Sequence, residues 1–288
     1  LDKYGPTKEA LVDIINKTQV NDNEKMDEQE ANSILETYCV NLNRKAENGK
    51  IDPLIGREKE VESITQILSR RNKHNPIMTG DPGVGKTQII EGLAKRIVEQ
   101  TVPEVLLNKT IWSLDIAALV GGTKFRGDFE ERMKQVIKAM SSLPSAIMFI
   151  DEIHMIMGAG NAGGSNGSLD AANMLKPALS RGDVYCIGST TAEEYRKHFE
   201  KDRALARRFQ RIDVHEPSID DSKRILRGLS KYYEEYHDVV YDTAALDAAV
   251  ELTAKHMHGK FLPDKAIDII DSAAAWQKIK PEAERISH

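Results

Sequence analysis

The stretch GDPGVGKT, residues 80–87, has the form G-x-x-x-x-G-K-[ST], filled by Gly80, Gly85, Lys86 and Thr87. Glycines at these places let the backbone turn tightly and aim successive N–H groups at anionic oxygens. A helix beginning at the loop adds the positive end of its dipole. Lys86 is placed to reach β- and γ-phosphates and the Thr87 hydroxyl to hold Mg²⁺. The whole run Asp81, Pro82, Gly83, Val84, Gly85, Lys86 and Thr87 is therefore a nucleotide-binding candidate. Its flanks agree. Asn75-Pro76-Ile77-Met78-Thr79 is short and largely apolar, as a buried strand is. Ile89, Ile90, Leu93, Ala94, Ile97 and Val98 follow at helical spacing. Strand, glycine loop and helix are the order such a loop requires.

Downstream, Ala146 to Ile150 is continuously apolar and ends in Asp151-Glu152. That pattern suits a strand buried on both faces, in a parallel sheet, with its acids at the ligand end. Asp151 would act on Mg²⁺ through water, and Glu152 would orient or deprotonate an attacking water. Val184 to Gly188 reads as another strand, ending in Ser189-Thr190-Thr191, where Thr190 suits a helix cap. Trp112, Leu114 and Ile116 alternate as a strand does. KDRALARRFQ carries Arg207 and Arg208 ahead of a last strand in RIDVHEP.

The N-terminal third is simpler. A short helix over 7–17 precedes NDNEKMDEQE, a polar run without a core pattern that reads as a flexible linker. One helix through Ile34, Leu35, Tyr38 and Leu42 then stops at Asn48-Gly49. From Ser218 onward only helical periodicity remains, in three segments. We expect a leading segment over 1–49, an α/β domain over 50–216 and a helical lid over 217–288.

With 40% hydrophobic and 30% charged residues the chain has the balance of a globular protein. No apolar run approaches ~18 residues, the length of a membrane span. LDKYGPTKEA does not read as a signal peptide and lacks an initiator Met, as an excised piece would. Two cysteines without metal or redox spacing suit a reducing cytoplasmic compartment. A net charge of −5 gives no global basic field for nucleic acid. Gly163-Gly164-Ser165-Asn166-Gly167 matches the esterase elbow G-x-S-x-G but follows more glycine rather than a strand, so it reads as a mobile loop. His256 and His258 are two apart on a helix and point to different sides, which argues against a zinc site.

The phosphate loop, IMFIDE, IGSTT, RALARRF and the helical lid, in this order, resemble the AAA+ ATPases. IDPLIGREKE, GTKFRGDFEER and LPDKAIDIID narrow the resemblance to the first ATPase module of Clp unfoldases, closest to the ClpA type. It covers about residues 34–280. The resemblance implies a P-loop α/β fold with a parallel sheet and a small all-helical lid. It also implies Mg²⁺-dependent ATP hydrolysis, with ATP/ADP as the nucleotide.

Residue by residue, Thr191 resembles the first sensor, and Arg207 and Arg208 resemble arginine fingers that reach a neighbour's γ-phosphate. Ile55 and Gly56 resemble adenine contacts. Phe125, between Lys124 and Arg126, resembles the axial pore loop that grips substrate, with Phe where Tyr is usual. Pro263-Asp264-Lys265-Ala266 lacks the second-sensor arginine of the family's second modules. The implied partners are unfolded or tagged proteins, further copies in a hexameric ring, and a ClpP-like peptidase reached through a second module. A nucleic-acid remodeller of the same superfamily and a disaggregase-type chaperone are the alternatives.

Overall fold

The computed structural model describes residues 26–122, 126–156 and 172–280. Lys124 and Phe125, expected in a pore loop, the side chain of Arg126 and the 163–167 elbow match lie outside them. So does the short helix expected over 7–17.

Six strands make one sheet: β1 Cys39–Asn41, β2 Asn75–Thr79, β3 Thr110–Leu114, β4 Ala146–Ile150, β5 Tyr185–Thr190 and β6 Phe209–Asp213. Their spatial order is β1-β3-β4-β5-β2-β6. Only β1 runs antiparallel to its neighbour. Layers of helix cover both faces. They are α1 Glu28–Tyr38, α2 Leu42–Glu47, α3 Glu58–Leu68, α4 Lys86–Val98, α5 Ile116–Val120, α6 Arg126–Ser142 and α7 Ala172–Arg181. The short α8 Ala192–Glu194 runs into a π turn, Tyr195–Phe199, and α9 Arg203–Ala206 precedes β6.

The two-sided burial explains the continuous apolar strands. On β4, Met148 and Ile150 join a core with Phe129, Met133 and Leu35, while Ile147 and Phe149 join the opposite core with Ile64, Ile90 and Leu93. All five residues of β4 and of β2 are buried. A strand with no solvent face has no polar positions to alternate, which is why the sequence shows an unbroken run.

Three elements differ from expectation. The leading helix is two helices, because Cys39–Asn41 leaves helical geometry to pair with Trp112–Leu114 at the sheet edge. The first of them begins at Glu28, inside the run read as flexible. Asp27 caps it by accepting from the Glu30 amide at 2.7 Å, and Ala31 and Leu35 are fully buried against the sheet layer. Such a cap contributes about 1 kcal/mol. Ile116 opens α5 rather than ending β3, since the Asp115 carboxylate accepts from the Ala118 amide at 3.0 Å. β5 also runs on through Thr190, because it lies between two partners and Thr79 still pairs there.

The chain closes with α10 Ile219–His237, α11 Thr243–His256 and α12 Asp264–Ile279. They form a separate small core of Leu226, Leu246, Ala249, Val250, Leu262, Ala266 and Ile270. Ser218 caps α10 through the Asp221 amide.

Candidate functional site

Strand order decides where the chemistry collects. β2 and β4 both end, at their C-terminal ends, beside β5, so the loop after Thr79 and the acids after Ile150 face one another. Gly85, at φ +96°, takes a backbone conformation that L side chains rarely adopt and so turns the loop into α4. Lys86 is buried, and its ammonium donates to the carbonyls of Gly80 at 2.9 Å and Asp81 at 3.0 Å. An ammonium has three donors, so one remains for a ligand.

The Thr87 hydroxyl donates to Asp151 Oδ2 at 2.6 Å, and the Ser189 hydroxyl donates to Asp151 Oδ1. A hydroxyl and a carboxylate meeting at the mouth of a phosphate loop are hard oxygen donors, the set that Mg²⁺ prefers. The residues present therefore fit that ion. Glu152 stands in the left-handed region at φ +46°, a conformation that costs about 1 kcal/mol or more in a non-glycine residue. Its amide is held by Asp151 Oδ1 at 3.0 Å and Ser189 Oγ at 3.2 Å.

These groups open onto a cavity of ≈ 430 Å³. The phosphate loop from Pro82 to Gln88, Asp151 and Glu152 line one end. Asp52, Pro53, Leu54 and Ile55 line the other, with Ile225, Leu229, Tyr233 and Ile267 of the lid. The lining thus combines polar groups with the apolar side chains of Pro53, Leu54, Ile55, Ile225, Leu229 and Ile267, as a nucleotide requires. Ile55 comes so close to α10 that a Cβ at Gly228 would lie 2.7 Å from its Cδ1. Any side chain at 228 would force Ile55 to move out of the slot. Gly56 lies beside the slot and lines a neighbouring cleft instead.

The charge balance of the cavity is unusual for an anion site. Arg57 and Lys86 are its cationic side chains, against Asp52, Glu91, Asp151, Glu152 and Asp264. Burial, then the charge of Asp268, push the Asp264 carboxyl up. Burial, then Asp52, push the Tyr233 hydroxyl up, so it stays protonated. A polyphosphate here needs positive charge from outside this set of side chains. Loop amides supply part, and the remainder must come from a cation or another chain.

The other expected site residues separate. The Thr191 hydroxyl caps α8 by accepting from the Glu194 amide at 3.2 Å, the cap role that the sequence suggested for Thr190. Thr190 is instead fully buried in β5, its hydroxyl 3.0 Å from His154 Nδ1. Arg207 and Arg208 are exposed and carry no ion pair among the described residues. They precede β6, where Asn75 Nδ2 donates to the Arg208 carbonyl at 3.3 Å. Asn75 begins β2 and the phosphate loop follows its end, so a strand of roughly 15 Å separates the two arginines from their own loop. The cysteines take no part. Burial, then Asp115, push the Cys39 thiol up to about 12, and burial also pushes Cys186 up.

Arg57 is a site residue that the sequence pattern did not single out. Its guanidinium donates to the Val84 carbonyl of the phosphate loop at 2.6 Å and to the His215 carbonyl after β6 at 3.0 Å. It also pairs with Glu60 at 2.8 Å, and its side chain is 12% exposed. One planar group thus ties the base slot, the phosphate loop and the approach to the lid together. The one signal was its place directly after Ile55-Gly56. Arg57→Ala should weaken ATP binding about tenfold or more, since a hydrogen bond to a charged group is worth about 1.5–3 kcal/mol. Calorimetric titration checks this. An unchanged affinity would mean that the loop holds its shape without the guanidinium.

The model of the ATPase family associated with various cellular activities (AAA) matches residues 76–216, and that of the AAA lid domain matches 218–288. The ClpA homolog protein of Fuscovulum blasticum is 55% identical over 253 residues, covering 88% of this chain and 32% of that protein. The chaperone protein ClpB of Staphylococcus epidermidis is 50% identical over 269 residues, covering 93% and 31%. The chain therefore spans about a third of the length of the curated relatives it matches. A closed-state cryo-electron-microscopy reconstruction of Hsp104 with ATPγS and FITC casein superposes with a TM-score of 0.80 at 45% identity, covering 88% of this chain and 42% of that one. No helix among the described residues is long and apolar enough to cross a membrane.

Proposed function

The chain belongs to the AAA+ ATPases of the Clp/Hsp100 class, and from that premise we propose that it is the first ATPase module of a ring-forming, cytoplasmic protein unfoldase. The observation that carries this is the single cavity lined by the phosphate loop, Asp151, Glu152 and the lid. A lid that forms one wall of the nucleotide slot feels whether the slot is filled, which is how hydrolysis would become movement.

In this reading the loop amides and Lys86 bind the β- and γ-phosphates, and Ile55, Ile225, Leu229 and Ile267 sandwich the adenine. Thr87, and Asp151 through water, would hold Mg²⁺, which would supply charge neutralisation on the phosphates. Glu152 accepts a proton from the attacking water. Arg207 and Arg208 complete the site of the adjacent subunit, a role consistent with their distance from their own loop. Thr191 keeps the end of β5 in register with Asp151 through its cap. The domains divide near residues 50 and 217, with the strand Cys39–Asn41 joining the sheet from the leading segment.

Phe125 with Lys124 and Arg126 is proposed as the loop that grips a threaded polypeptide. An aromatic ring offers apolar area without demanding one hydrogen-bond pattern. A ClpP-like peptidase would receive the chain through a second module. The 50% identity to ClpB supports a second reading, in which the same motor frees proteins from aggregates.

The test uses the full-length protein. A loosely folded protein such as casein should stimulate its ATPase, and single-stranded DNA should not. Phe125→Ala should leave ATP affinity intact while lowering the number of unfolding events per ATP hydrolysed. Stimulation by DNA alone would replace the unfoldase reading by a nucleic-acid remodeller. An unchanged unfolding ratio with a lowered Tm would make Phe125 a packing residue.

A further inference from the structure

Glu152 has a neighbour that the proposed mechanism does not use. Its Oε2 is buried and makes no hydrogen bond among the described residues. The polar atom facing it is His154 Nδ1, 3.2 Å away, on the 3₁₀ turn Ile153–Ile156. The same Nδ1 lies 3.0 Å from the hydroxyl of Thr190, which is fully buried at the end of β5. Behind it, the His198 ring stacks on His154 with centroids 6.4 Å apart and planes at 26°. His198 Nε2 is in turn 2.9 Å from Glu194 Oε2. The imidazole of His154 is thus fixed from two sides, by a core hydroxyl and by a second ring that is itself held.

We propose that His154 is a positioning residue for Glu152. With its proton on Nδ1, the ring stands against Thr190 and captures Glu152 Oε2. That leaves the other carboxylate oxygen directed at the cavity, where an attacking water must sit. Two features argue for it. A buried carboxylate oxygen without a donor is costly, and Nδ1 stands 3.2 Å from it, near enough to supply one. Glu152 also lines the cavity with a side chain 39% exposed while Oε2 is covered, so what it presents to the cavity is the rest of the side chain. A carboxylate free to rotate would lose that orientation.

The inference rests on the reading of Glu152 as the base, and the experiment separates the two. Steady-state hydrolysis and ATP affinity are measured on the assembled full-length protein. His154→Ala should lower kcat about 10- to 100-fold, the scale of an ångström-level misplacement, with the Kd for ATP unchanged. His154→Asn puts an amide nitrogen close to the place of Nδ1 and should recover most of the rate. In a Glu152→Gln background, His154→Ala should cost nothing further, because its effect passes through that carboxylate.

Full activity in His154→Ala, beside an inactive Glu152→Gln, overturns the role of His154 and leaves the base in place. Equal losses in the Ala and Asn variants, together with a lowered Tm, make His154 a packing residue. Losses that multiply in the double variant mean that His154 acts apart from Glu152. Parent-rate hydrolysis by Glu152→Gln overturns both readings at once.

Discussion

Replacing Arg207 and Arg208 together by alanine should lower ATP turnover by roughly 10³–10⁵ in the assembled protein, the range found for arginine fingers. Affinity for ATP should stay near the parent value, because neither side chain lines the subunit's own cavity. The argument is electrostatic and geometric. The cavity wall offers Arg57 and Lys86 against five carboxylates, and Arg57 spends its guanidinium on carbonyls and Glu60. Transferring a γ-phosphoryl group to water spreads charge over oxygens that this set cannot neutralise. The two exposed arginines stand at the opposite end of β2 and β6 from the loop. In the proposed reading they serve a site on another copy. Hydrolysis should therefore rise with protein concentration as subunits associate. Mixing the double-alanine subunit with a Glu152→Gln subunit should restore some turnover in trans. Full activity in a rigorously monomeric preparation would sink this reading.

Glu152→Gln should slow hydrolysis by roughly 10²–10⁴, the usual contribution of a general base, with ATP bound at least as tightly. The substitution keeps the shape and removes the proton acceptor. No hydrogen bond or ion pair among the described residues joins the phosphate cradle to the Glu152 carboxylate, and its amide bonds to Asp151 and Ser189 do not depend on the side chain. It also removes one negative charge from an acid-rich cavity, so affinity has no reason to fall. Single-turnover phosphate release, measured beside equilibrium binding, reads the two quantities separately. Release at the parent rate would transfer the base role to another group. A parallel loss of binding would mean that Glu152 holds the loop together.

The phosphate loop, the acid-ended strand and the three lid helices are legible in the sequence because each is a local pattern. Glycine and lysine spacing over 80–87 has few other uses. An apolar run such as Ala146–Ile150 has to be buried on both faces. The lid stripes repeat at the helical period, and their helices lie where the period puts them. Periodicity, however, reports only that a side chain is buried. It could not say that Leu226 packs inside the lid while Ile225 and Leu229, on the same helix, line the nucleotide slot.

Long-range juxtapositions were equally out of reach. Cys39–Asn41 is a strand only because β3 offers it an unpaired edge. Gly228 earns its place from Ile55, on the other side of the cavity. Arg57 matters for carbonyls at Val84 and His215, and His154 for a hydroxyl on β5. The sequence by itself determined the nucleotide chemistry and the order of the phosphate loop, the acid-ended strand and the lid, since each is written in neighbouring residues. Which side chains meet around that nucleotide, and at which end of the sheet the two arginines stand, was decided by strand order, because contacts between distant segments leave no local periodicity to read.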